Sequence, residues 1–132
     1  MIVVDTHIIA YFFIEGDHTA SAQALWQRDS HWRLPPLWRH EFLNVLATYV
    51  RFGGVEQAAA MELWRAACTL CVPMETDLDL SEALALSIEK QLSAYDAQFV
   101  TLARSLAVPL VSEDKRLRDH CSDEVITIAQ YL

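Results

Sequence analysis

Three short apolar runs constrain this chain more than anything else in it: Ile2-Val3-Val4, Pro109-Leu110-Val111 and Val125-Ile126-Thr127-Ile128. Each is too short for a helix and lacks the strict polar alternation of a strand with one wet face. Runs of that kind predict strands buried on both sides, as in a parallel sheet. The chain between them repeats its apolar residues at helical spacing. Helices are expected over residues 7–14, 19–28, 36–52, 55–70, from Asp77 or Asp79 to about Lys90, and from the Ser93–Asp96 region to Ala107. Gly16 breaks the first of these, and Gly53-Gly54 stops the third. Trp32-Arg33-Leu34 reads as a further strand closed by Pro35-Pro36, and Val72-Pro73-Met74 as a short edge strand. Strands alternating with helices predict an α/β layered fold with a mostly parallel central sheet. No repeat, low-complexity segment or linker divides the sequence, so one domain over residues 1–132 is expected.

Charge and composition narrow the function. Asp and Glu number 18 against 10 Lys and Arg, a net charge of −8, which disfavours indiscriminate binding of polyanions. A nucleic-acid substrate stays possible, because metal ions invert the local charge of an acid-lined site. The greasy start, MIVVDTHIIAYFFIEGD, has no basic leader and carries an acid at position 5. It fits neither a signal peptide nor a membrane span, and a cytoplasmic protein is expected. Cys68, Cys71 and Cys121 make an odd set with no second pair to complete a zinc site, and core packing accounts for them.

Ligand sites in open parallel sheets form beyond the carboxyl ends of the strands. Asp5 follows the first run directly, and Asp114 follows Leu110-Val111-Ser112 by two positions, so both belong to one sheet edge. Glu41 and Asn44, spaced i,i+3, form a polar strip on a mostly apolar helix. A solvated face explains such a strip, and so does a pair that orients a metal or a water. Asp96 stands in the first helical turn after Ser93, where capping and the helix dipole account for an acid. Four acids gathered together raise one another's pKa unless a cation lies among them. Oxygen-only ligation of that type suits Mg²⁺ or Mn²⁺, and such ions in acid pockets serve phosphoryl chemistry.

The segments VVDT, HEFLNVL, YDAQFVTLA and VSEDKRL, in this order, resemble the PIN-domain ribonucleases, and among them the VapC-type toxins of type II toxin–antitoxin systems. The resemblance runs over essentially the whole chain and implies a three-layer α/β/α fold. It places the catalytic, metal-binding acids at Asp5, Glu41, Asp96 and Asp114, with Thr6, Asn44 and Ser112 as supporting residues. It implies an endoribonuclease in which Mg²⁺ or Mn²⁺ held by Asp5, Asp96 and Asp114 activates water, with Glu41 placing a water or a second ion. It also implies an RNA substrate, a cognate antitoxin protein inserting a basic residue into the crevice, and a homodimer. The tryptophans at 26, 32, 38 and 64 are numerous enough for an interface to use some of them.

His7 departs from the small polar residue usual at its place in that family, and Glu113 is an extra acid best read as a surface residue. Lys115 and Arg116 read as a solvated basic turn or as contacts to an RNA backbone. Two other classes compete. A non-catalytic PIN-like module that binds RNA or protein would be expected to lack one or more of the four acids, and all are present. A phosphoacceptor receiver domain would want an acidic pair after the first strand, where this chain has only Asp5.

Overall fold

The computed structural model describes residues 1–132. Its centre is a four-stranded, all-parallel sheet in the order β2-β1-β3-β4, built from β1 (Ile2–Val4), β2 (Trp32–Arg33), β3 (Leu110–Val111) and β4 (Val125–Ile126). β1 pairs on both edges, with Ile2 opposite Trp32 on one side and Val4 opposite Val111 on the other. The helices are α1 (Thr6–Phe13), α2 (Thr19–Arg28), α3 (Trp38–Phe52), α4 (Gln57–Cys71), α5 (Leu80–Lys90), α6 (Ala94–Leu106), α7 (Lys115–His120) and α8 (Ile128–Tyr131).

Successive strand residues point to opposite faces, and this divides the core in two. Ile2, Val4 and Val111 pack with Ile8, Ile9, Leu25, Trp38 and Phe42 on the side of α1–α4. Val3, Leu110 and Val125 pack with Ala83, Leu86, Val100 and Leu102 on the side of α5 and α6. The unbroken apolar runs are thus explained: neither face of the sheet meets water. Burying each such large side chain stabilises the fold by roughly 1.5–3 kcal/mol. The result is the three-layer α/β/α arrangement expected, with every strand pair parallel.

Several local expectations are corrected. Val72–Met74 is a 3₁₀ turn, because Pro73 fixes φ and has no N–H to give a ladder. Only Glu75, just beyond it, bridges to Leu34 beside β2. The run at 125–128 stops as a strand at Ile126. Thr127 then caps α8, its side chain accepting from Gln130 N while the Gln130 side chain accepts from Thr127 N. Residues 115–120 form a helix capped by Asp114 and not a loose turn, and Lys115 pairs with Asp119 at 2.8 Å. Trp32 and Trp38 are fully buried, while Trp26 and Trp64 pack against the same cluster. The tryptophans are core residues and supply no evidence for an interface. Cys71 and Cys121 are buried and Cys68 is half-buried, all three free. No helix is long and apolar enough to cross a membrane.

Candidate active site

In the order β2-β1-β3-β4 the chain leaves β1 toward one edge and returns to β3 on the other side. The carboxyl ends of β1 and β3 therefore flank a topological switch point, where helices diverge and leave a crevice. That crevice has a volume of about 550 Å³, and Asp5, Glu41, Asp96 and Asp114 all line it. Thr6, His7, His40 and Asn44 line it too, above an apolar base that includes Phe99 and Leu117.

Each acid is delivered by the start of a helix. Asp5 ends β1 and caps α1, its Oδ1 accepting from Ile8 N at 3.0 Å. Asp114 caps α7, accepting from Leu117 N at 3.2 Å. Asp96 lies in the first turn of α6, whose cap is Ser93, and Glu41 in the first turn of α3. The positive ends of the helix dipoles favour carboxylates at such places. Capping thus describes Asp96 correctly and incompletely, since the same residue faces the other three acids across the crevice.

Hydroxyls hold two of the acids. The Ser112 hydroxyl, fully buried, donates to Asp5 Oδ2 and accepts from Asp114 N at 3.0 Å, so it joins the ends of β1 and β3. Thr6 donates to Glu41 Oε1 at 2.7 Å. Burial disfavours the charged forms. Asp5, only 7% exposed, is pushed up to about 6, mainly by burial and against the lowering effect of the Ser112 and Ile8 hydrogen bonds. Glu41 is raised by burial and by Asp96, and Asp96 by burial and by Asp114. A positive charge on His7 would lower all three, and Arg116 lowers Asp96.

This constellation sits on an α/β sheet at the place where the segment order VVDT, HEFLNVL, YDAQFVTLA and VSEDKRL puts it, and the PIN domain family matches residues 2–122. The chain belongs to the PIN domain family. PIN domains are in general nucleases and typically use divalent metal ions. The crystal structure of PAE2754 from Pyrobaculum aerophilum is similar, with a TM-score of 0.76 over 98% of this chain and 91% of that one. The identity is 22%, so the similarity speaks for the PIN fold alone. No curated protein matches the sequence.

Lining one crevice with four acids is not the same as closing them on an ion. No three His, Cys, Asp or Glu side chains stand together as a metal-holding group. The reason is visible in their present engagements. Asp5 is turned to Ser112 and Ile8, Glu41 to Thr6, and Asp114 to Leu117. The donor set itself suits a hard cation, being all oxygen and carboxylate-rich.

The remaining expected residues fall into place unevenly. His7 is exposed and lines the crevice mouth without a side-chain hydrogen bond. Asn44 is exposed at the same mouth. Glu113 is not a free surface acid: it is half-buried and accepts from Ile128 N at 2.8 Å, tying the end of β3 to α8. His40 lines the crevice and was not anticipated; its position just before Glu41 was the available signal. Ser112→Ala should destabilise the protein by about 1–3 kcal/mol, since it leaves a buried Asp5 oxygen without its donor. Urea unfolding at neutral pH would measure it, and a stability equal to wild type would deny Ser112 this role.

Proposed function

We propose that this protein is a metal-dependent endoribonuclease, hydrolysing phosphodiester bonds of single-stranded or loop RNA, and that it serves as the toxin of a toxin–antitoxin pair in the cytoplasm. The observation that carries the proposal is the convergence of Asp5, Glu41, Asp96 and Asp114 on one crevice in a PIN-family chain. Asp5, Asp96 and Asp114 would hold Mg²⁺ or Mn²⁺, with Glu41 orienting a water or a second ion. Such a cation supplies Lewis acidity, which lowers the pKa of water and neutralises charge on the phosphate.

The chain's own groups do the positioning. Ser112 fixes Asp5 and the backbone of Asp114 in register. Thr6 aims Glu41 into the crevice and occupies one of its oxygens, leaving the other to hold water. His7 and His40 line the crevice, where they would meet the RNA backbone. Lys115 is engaged with Asp119, whereas Arg116 carries a charge that Asp96 feels.

The toxin role brings two partners. An antitoxin segment fits the apolar groove between α3 and α4, lined by Leu43, Val50, Met61 and Trp64, and its basic residue pairs with the crevice acids. A second copy of the chain can cover Leu80, Leu84 and Ile88, an exposed apolar stripe at i, i+4 and i+8 on α5.

The deciding experiment incubates purified protein, freed of any bound inhibitor, with a structured RNA in Mg²⁺ or Mn²⁺ and in EDTA. Cleavage with metal and none in EDTA is expected. Equal cleavage in EDTA would refute the metal mechanism, and binding without cleavage would leave the non-catalytic module as the better account.

A further inference from the structure

Beside the acidic crevice lies a second cavity of about 320 Å³, within the roughly 300–1,000 Å³ of small-ligand sites. The two are continuous, for His7, Asn44 and Val45 line both. The second is walled by rings. His7 and Tyr11 stack with centroids 6.4 Å apart, and Tyr11 and His18 with centroids 4.4 Å apart, at interplanar angles of 29° and 28°. Tyr49, on α3, also lines the cavity and is 41% exposed.

We propose that this second cavity is a nucleobase subsite, where one unpaired base next to the cleaved bond stacks on the exposed His18 ring, which Tyr11 backs, and on the Tyr49 ring. The inference rests on the ribonuclease reading above and adds to it how the strand is gripped.

Three observations favour a base over other occupants. Neither cavity is lined by a Lys or Arg, so apart from the metal ion proposed for the crevice the phosphate backbone meets no fixed cation along this path. Another part of the nucleotide has to add affinity, and every base offers a π face. Glu15 and Asp17 also line the second cavity, which repels a phosphate and tolerates a neutral base. The rings are also held in advance. Tyr11 packs against the core cluster of α1–α4. Thr19 closes the loop before α2, accepting from Gly16 N at 3.0 Å and donating to Ile14 O at 3.2 Å, which fixes the approach to His18. Gly53 makes room for the Tyr49 ring: a Cβ there would lie 3.0 Å from Tyr49 Cδ1. Asn44, at the junction, presents an amide with both donor and acceptor to a base edge.

The test is steady-state cleavage of a short unstructured RNA in Mn²⁺, with an abasic nucleotide placed at each position around the cleaved bond in turn. For the unmodified protein, one abasic position should raise KM about tenfold with kcat nearly unchanged, the loss expected for one stacked base. Tyr49→Ala and His18→Ala should raise KM by a similar factor on intact RNA, and removal of that base should then cost them little more. Tyr49→Phe should recover most of the KM lost in Tyr49→Ala, since the ring face and not the hydroxyl does the stacking. The abasic series needs no mutant, so a misfolded variant cannot obscure the answer.

If wild type cleaves every abasic RNA equally well, or the two alanine variants keep the wild-type KM, the subsite does not exist although the ribonuclease stands. The same holds if those variants lose antitoxin binding alone, which would make the cavity a protein-docking site. A wild-type protein that cuts no RNA in Mn²⁺ would remove both readings together.

Discussion

Asp5→Asn and Asp96→Asn should each reduce RNA cleavage at least about a hundredfold while leaving a folded protein. Changes merely in the outer shell of metal sites cost about 10–100-fold, and these two delete a ligand charge outright. The fold should survive because asparagine caps helices about as well as aspartate. At position 5 the amide oxygen can still accept from Ile8 N, and the amide NH₂ can donate to the Ser112 oxygen, which has a second lone pair beyond the one Asp114 N uses. At position 96 the cap of α6 comes from Ser93, and an amide oxygen can still accept from the Ser93 hydroxyl. Cleavage time courses across a Mn²⁺ titration, with thermal melts alongside, measure both halves of the expectation. Wild-type rates in both variants would mean that the crevice is not where RNA is cut.

The second large effect concerns stability in the absence of metal. Asp5 is raised to about 6 from an ordinary value of 3.8. Between those values the folded protein binds more protons than the unfolded chain, so stability falls as pH rises. The stabilisation from a protonated Asp5 is complete below about pH 4 and gone just above pH 6. At 1.36 kcal/mol per unit, the loss from this group is at most about 3 kcal/mol. Glu41 and Asp96, raised by burial, act in the same direction. Carboxylates held low, such as Glu75 by Arg39, lose their stabilisation only at more acid pH. In EDTA the protein should therefore melt several degrees higher at pH 5 than at pH 8, and Asp5→Asn should flatten that difference. Mn²⁺ should raise the melting temperature more at pH 8, since its ligands must be deprotonated. A metal-free protein more stable at pH 8 than at pH 5 would contradict the burial of this carboxylate.

How far the sequence could be read depended on element length. β1 and β3 stood out because both faces of the sheet are dry, and α3 and α6 because each runs long enough to repeat its apolar face. The short pieces escaped. Val72-Pro73-Met74 offers three residues of which two are apolar, and only the missing N–H of Pro73 argued against a strand. Thr127 to Gln130 carried a readable capping signature that the apolar look of Val125-Ile126 and Ile128 masked. Among site residues, Asp5 and Asp114 followed from strand ends, whereas Glu41 and Asp96 acquired their meaning from the family resemblance. Nothing in the sequence set Tyr11 and Tyr49 apart, because helical spacing cannot tell a ring in a core from one on a cavity wall. Glu113 was misjudged for a related reason: its partner, Ile128 N, lies on an element that the sequence had not disclosed.

Asp5 finishes a strand, Asp114 follows one by three residues, and each opens a helix and lines the crevice, so on the proposed reading structure and chemistry draw on the same two side chains. Such double employment restricts how the proposed activity could ever be lost. A lineage that no longer needed cutting could exchange either residue for Asn, Ser or Thr and keep its helix starts. Exchange for Ala or Leu would forfeit a cap at about 0.5–2 kcal/mol each, a sizeable part of a small domain's margin. Descendants that had fallen silent would thus be expected to carry neutral, hydrogen-bonding residues at these two places, and the hollow between β1 and β3 would outlast the reaction it once housed.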